Sequence, residues 1–157
     1  MLYRDDDICK WTDLSEFKKL HETFISNKKI HICAVLFEGL ADNYGLFHYL
    51  VNAPLLDIQL HGWTHKDYSK LSEIKVRLDF QRAITYWNEN VTRRYGKGIL
   101  DNTLKQITTY YPPWNKVSKE VEEACKRLGL RVDNRIGGQV FNFHYWSINI
   151  KDLPFNK

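Results

Sequence analysis

The sequence predicts an α/β fold of mostly parallel strands, arranged as a trimmed or incompletely closed (β/α) barrel. Three observations predict it. Short apolar, β-branched runs alternate with amphipathic helical stretches along the chain. The polar clusters that carry chemistry recur just after the runs that read as strands, where parallel α/β folds build their sites. The 157 residues suit a single domain spanning 1–157, yet fall well short of the about 250 that a complete eightfold barrel takes.

The elements follow in order. Met1–Arg4 reads as a short strand running into Asp5, Asp6 and Asp7. Asp13, with Glu16 three residues on, reads as the N-cap of a helix to about Ser26, with Leu14, Phe17, Leu20, Phe24 and Ile25 on its apolar face. Ile30–Phe37 is almost unbroken apolar sequence, as expected of a strand buried on both faces. A short helix around Gly45–Val51 leads to a strand at Leu55–Leu60 and a loop from His61 to Leu71. The longest helix spans roughly Ser72 to Tyr95, with Phe80, Ile84, Trp87 and Val91 as its stripe and Gly96 as its stop. Ile107–Tyr111 reads as a strand ended by Pro112-Pro113, and Ser118–Leu128 as a helix closed by Gly129. Leu130–Val132 and Gln139–Trp146 are the last strand candidates.

Composition excludes several function classes. The apolar fraction of 43% and charged fraction of 27% are those of a globular chain. A net charge of +4, dispersed in isolated basic pairs, gives no stripe for nucleic acid. Three scattered cysteines imply neither a disulfide framework nor a zinc finger. The first residues lack the apolar core of a signal peptide, and the run Ile32–Phe37 is too short to span a bilayer. The expectation is a soluble chain, cytoplasmic or of unknown location, with no nucleic-acid partner and no membrane span.

The candidate chemistry begins with His61 and His65. A His-x-x-x-His pair brings two imidazoles within reach of one ion, and Gly62 permits a sharp turn between strand and loop. Two imidazoles and a carboxylate leave coordination positions open, the pattern of a catalytic site and not of a closed structural one. The ligand set selects one divalent ion without discriminating strongly: zinc first, then cobalt, nickel, manganese or iron. Of adjacent aspartates near such an ion, one can ligate while the next acts as a base. The other histidines take a plainer reading: His21 on the surface, His31 and His48 structural. Trp11, Trp63, Trp87 and Trp146 read as core, with Trp63 also a candidate to line the pocket.

The strings YRDDD (Tyr3–Asp7), HGWTH (His61–His65), YYPPWN (Tyr110–Asn115) and FNFHYW (Phe141–Trp146) resemble, in order, the successive motifs of the polysaccharide deacetylases, carbohydrate esterase family four. The resemblance implies a metal-dependent hydrolase that removes N-acetyl, or O-acetyl, groups from a carbohydrate polymer or oligomer. It makes Asp6 the catalytic base, Asp7 a metal ligand with His61 and His65, and His144 the general acid. The segment Tyr111, Pro113, Trp114 and Asn115 forms one wall of the substrate groove, with Trp114 stacking on sugar and its backbone N–H helping to hold the oxyanion. One departure stands out: Tyr111 occupies the position of an arginine that ion-pairs with the base in that family. Arg4 or Arg135 is the candidate replacement, and Asp133 a candidate to orient His144. Two rivals remain: a catalytically degenerate carbohydrate-binding or assembly module of the same fold, and a non-haem iron oxygenase, which also uses two histidines and a carboxylate.

Overall fold

A computed structural model describes residues 1–157. Six strands form one sheet: β1 (Leu2–Ile8), β2 (His31–Leu36), β3 (Leu56–Gly62), β4 (Thr109–Tyr110), β5 (Arg131–Val132) and β6 (Val140–Phe143). Their order is β5-β4-β3-β2-β1-β6, and every pairing between these strands is parallel. The sheet curls without closing, since β5 and β6 remain edges. The expected incompletely closed barrel is therefore what forms. Four helices connect the strands: α1 (Leu14–Ser26), α2 (Tyr44–Asn52), α3 (Glu73–Tyr95) and α4 (Lys119–Arg127). No helix is long and apolar enough to cross a membrane.

Local signals fix the helix ends. Asp13 accepts from the Glu16 N–H at 2.9 Å, and Ser118 from the Val121 N–H at 3.1 Å. Gly96, at φ 84°, stops α3. The α3 stripe packs as expected, with Phe80, Trp87 and Val91 fully buried in the main core beside Phe37, Phe47 and Ile58. A smaller core joins Tyr3, Leu20, Phe24, Phe143 and Leu153.

Four strands differ from the sequence expectation by two residues or more. β6, expected at Gln139–Trp146, ends at Phe143, because the chain turns at Tyr145–Ser147, where the Ser147 N–H donates to the His144 carbonyl. β1 continues to Ile8, so all three aspartates lie on the strand instead of after it. Pairing on both sides carries it on: Asp5 stands opposite Cys33 of β2 and Phe143 of β6. β3 likewise includes His61 and Gly62. β4 is only two residues long because Gln59 Oε1 accepts from the Thr108 and Thr109 N–H groups, both at 2.9 Å, in place of a backbone ladder.

His21 is buried rather than on the surface. It lies four residues after Phe17 and three before Phe24, on the same helix face. Its Nε2 donates to the Pro54 carbonyl at 2.7 Å and its Nδ1 meets His31 Nδ1 at 3.0 Å.

Lys105 is also buried, and its Nζ donates to the carbonyls of Leu50, Ala53 and Leu56 at 2.9, 2.9 and 2.8 Å. Three N–H groups meet three oxygens that close the α2–β3 corner. Lys105→Met should therefore cost at least about 2 kcal/mol, because the carbonyls lose their donor. A urea midpoint unchanged from wild type would refute this.

Candidate active site

The site forms where the carboxyl ends of β1, β3, β4 and β6 converge. β6 returns to the free side of β1, which brings His144 beside Asp7 across 137 intervening sequence steps. The Asp7 carboxylate is the hub. Its Oδ1 lies 3.0 Å from His61 Nε2 and 3.3 Å from His65 Nε2, and its Oδ2 lies 3.3 Å from His144 Nε2. A bulge between Asp5 and Ile8, with Asp7 at φ 66°, turns this carboxylate out of the ladder.

Burial alone, the largest influence on Asp7, pushes its carboxyl up. The His61 hydrogen bond and the three neighbouring imidazoles outweigh it and hold the group below the usual carboxylate range. Burial lowers His65, with His61 adding to the effect and Asp7 opposing it.

The donor set fits a divalent ion. Asp7, His61 and His65 each offer one ligand atom, all within 4.8 Å of one another. Bonds of about 2.0–2.1 Å at tetrahedral angles place ligand atoms roughly 3.3 Å apart, close to the 3.0 and 3.3 Å seen here. The tautomer of His61 points the same way. Its Nδ1 is 2.6 Å from the Tyr111 carbonyl, which can only accept, so the proton sits on Nδ1. In neutral His61 the bare Nε2 then faces a carboxylate oxygen, lone pair to lone pair. A shared cation resolves that contact, and the Tyr111 carbonyl orients the ring as an outer-shell partner.

Asp6 sits beside this cluster and is held by Arg4. Arg4 Nε donates to Asp6 Oδ1 at 2.9 Å and Nη2 to Oδ2 at 3.2 Å, a two-pronged pair in which both residues are buried. Arg4 also donates to Asn115 Oδ1 at 3.0 Å and to the Arg135 carbonyl at 3.3 Å, and stacks over the Tyr111 ring at 5.1 Å. Of the two candidates for the missing arginine, Arg4 is therefore the one that pairs with Asp6. Arg135 instead binds Asp133, with Nε to Oδ1 at 3.0 Å and Nη2 to Oδ2 at 2.6 Å. Asp133 is thus engaged by Arg135, and the carboxylate next to His144 is Asp7.

The double-proline segment meets the cluster from β4. Trp114, at φ 54° and 59% exposed, stands edge-on to His65 with ring centres 4.5 Å apart. Tyr111 and Pro113 are buried behind it, and Asn115 is tied to Arg4. Gly62 fixes the turn between the two histidines. At its φ of 147° a Cβ would stand 2.7 Å from the Thr64 carbonyl and 2.8 Å from the Tyr68 ring.

Two tryptophans expected in the core are not there. Trp11 is 81% and Trp146 63% exposed, whereas Trp63 and Trp87 are buried as expected. Trp63 packs edge-on to Tyr86 beneath the Arg82 guanidinium and does not line the cluster. Period and composition cannot reveal this, because Trp11 and Trp146 occupy turns, where no periodic face exists.

Beneath the site lies a buried chain of hydrogen bonds. Asp5 Oδ1 accepts from the Tyr145 N–H at 2.7 Å, while Oδ2 meets His31 Nε2 at 3.0 Å, and His31 continues to His21 and Pro54. Cys33 adjoins Asp5 and His31, a second triad of potential ligands. Its carboxylate and imidazole are already partnered within the protein. Larger hollows along α3 near Asn88–Arg93 have no hydrophobic lining and no cluster of this kind.

The fold has solved counterparts. A family 4 carbohydrate esterase from Streptomyces lividans, in complex with acetate, superposes over 96% of this chain and 81% of its own, with a TM-score of 0.69 and 16% identity. The chain has the fold of the family 4 carbohydrate esterases. A family 4 domain of a multidomain xylanase from the hindgut metagenome of Trinervitermes trinervoides matches over 99% of this chain and 79% of its own, with a TM-score of 0.62 and 12% identity. A family 4 pseudoenzyme from Bacillus anthracis matches over 83% of this chain but only 42% of its own, with a TM-score of 0.62 and 14% identity. No family model and no curated protein sequence matches the chain.

Proposed function

We propose that the protein is a metal-dependent hydrolase that removes acetyl groups from carbohydrate, with acetamide cleavage as its principal reaction. The observation that carries the proposal is the grouping of Asp7, His61 and His65 around one point, with Asp6 fixed by Arg4 on one side and His144 on the other. When bound, a divalent ion supplies Lewis acidity, polarising the acetyl carbonyl and making a water more acidic.

The chain's own groups supply the rest. Asp6, its oxygens aligned by Arg4, takes the proton of the attacking water. His144 gives a proton to the departing nitrogen as the C–N bond breaks, leaving acetate and a free amine. Trp114 presents an aromatic face to the sugar ring. Zinc is the preferred ion for two imidazoles and a carboxylate, with cobalt, nickel, manganese or iron as competitors.

Metal content and acetate release, measured together, test this reading. Purified protein should hold about one divalent ion per chain and release acetate from N-acetylglucosamine oligomers, peptidoglycan or acetylated xylan. A chelator, or His61→Ala, should remove both properties. Turnover that survives in folded, metal-free protein would exclude the mechanism. Metal binding without acetate release from any of these substrates would favour a non-catalytic role; one of the matching folds is itself a pseudoenzyme.

A further inference from the structure

We infer that Trp11 and Trp146 form a second sugar platform, across Asp7 from Trp114, so that the site binds a carbohydrate chain running over several strands. The inference rests on the deacetylase reading for its ligand class. Isolated exposed hydrophobics are ordinary on protein surfaces. These two are not isolated: they line one cleft of about 320 Å³ together with Asp7, His65, Cys9, Leu36 and Tyr145. The cleft is thus continuous with the candidate metal site.

Both tryptophans are presented by closed turns. Thr12 N–H donates to the Cys9 carbonyl at 2.9 Å and Cys9 N–H to Thr12 Oγ1 at 3.0 Å, which fixes the turn carrying Trp11. The Ser147 and Ile148 N–H groups donate to the His144 carbonyl at 3.0 and 3.2 Å, closing the turn that carries Trp146. The Trp146 ring leans on His144, with centres 5.0 Å apart, and Lys10 Nζ lies 5.3 Å from the Trp11 ring centre. Platforms held in advance lose little conformational entropy when a ligand settles on them.

Sheet order sets the span. Trp114 follows β4 and Trp146 follows β6, with β3, β2 and β1 between them. At about 4.8 Å per strand this is an arc of roughly 19 Å, longer than one pyranose. A sugar whose acetamide reaches Asp7 therefore extends neighbouring rings over Trp114 on one side and the Trp11–Trp146 pair on the other. Aromatic faces beside Asp7, His65 and Lys10 match a pyranose, which offers C–H groups on its faces and hydroxyls at its edge.

Binding to chelator-treated protein tests the platform without needing turnover. N-acetylglucosamine and its β-1,4-linked oligomers of increasing length are titrated by calorimetry. Wild-type affinity should rise with length. Trp11→Ala and Trp146→Ala should each weaken binding of long oligomers by roughly threefold to tenfold, while Trp11→Tyr retains most of it. Unchanged melting temperatures, expected for exposed side chains, exclude misfolding as the cause. Long oligomers bound equally by wild type and both alanine variants, or no tighter than the single sugar, would overturn the inference. The two readings fail separately. Length-dependent binding without acetate release leaves the platform standing and removes the enzyme. Acetate release from short substrates without length-dependent binding does the reverse.

Discussion

Asp6→Asn is expected to keep its metal ion while losing about 10²–10⁴ in turnover, and Asp7→Asn to lose the ion itself. The two carboxylates are adjacent in sequence but differently placed. Asp7 faces three imidazoles, whereas Asp6 faces the Arg4 guanidinium and none of the histidines that surround its neighbour. An amide at position 6 has nearly the same shape yet cannot take a proton from water. It also leaves the buried Arg4 without its counter-charge, so a fall in stability approaching about 3 kcal/mol is expected. The Asn115 and Arg135 oxygens remain as acceptors for Arg4 and keep the variant folded. Asp7→Asn instead removes the charge shared by His61, His65 and His144, and its activity should return in part at high metal concentration. Metal content, melting temperature and acetate release, measured for both variants, separate the roles. An Asp6→Asn enzyme with near wild-type turnover would remove it as the base. Asp5 substitutes for neither: it is fully buried, with both carboxylate oxygens bonded to His31 and Tyr145.

Which parts of this site the sequence disclosed follows from the range of the interactions. His61 and His65 are neighbours through a single turn, so their pairing is local and readable. Arg4 and Asp6 were also readable in principle, because residues two apart on a strand share a face. With β1 ending at Arg4, the sequence leaves Arg4 and Arg135 as equal candidates, and only the strand's continuation to Ile8 puts Arg4 and Asp6 on one face. His144 reaches Asp7 only because β6 lies beside β1, a fact of topology that no local pattern carries. The helices were legible to within a residue or two, since each has a side-chain cap and an apolar stripe. β4 was not, because Gln59, some fifty residues earlier, takes over its hydrogen bonds. The burial of His21 depends on its partners His31 and Pro54, although its position between Phe17 and Phe24 offered a signal. Lys105 offered none.

The second large effect expected is on the pH dependence of stability, and Asp5→Asn should reveal it. Burial is the main cause at all three groups of the chain beneath the site. It raises Asp5 well above the usual carboxylate range, with Asp6 and Asp7 adding to the effect and the Tyr145 N–H opposing it. It lowers His31 well below the ordinary imidazole value and His21 to about 4. The hydrogen bonds agree with a single shared proton. His21 Nε2 must donate to the Pro54 carbonyl, so its Nδ1 accepts from His31 Nδ1, and one further proton lies between His31 Nε2 and Asp5. Each sign then follows. The two depressed histidines contribute stability that is lost as pH falls below 6.5, where the unfolded imidazoles charge. The raised Asp5 contributes stability that is lost as pH rises above 3.8, where the unfolded carboxylate ionises. Between 3.8 and 6.5 the two effects oppose each other, the histidine contribution growing and the Asp5 contribution shrinking as pH rises. In Asp5→Asn the amide can donate to His31 Nε2 and accept from the Tyr145 N–H, reproducing the bonds without the titrating proton. Its stability relative to wild type should be greater at pH 8 than at pH 5, because only the folded wild type keeps a proton that the unfolded carboxylate has released. Urea unfolding of both proteins across that range measures the difference. Parallel curves would mean that the buried chain holds no extra proton, with Asp5 ionised between neutral histidines.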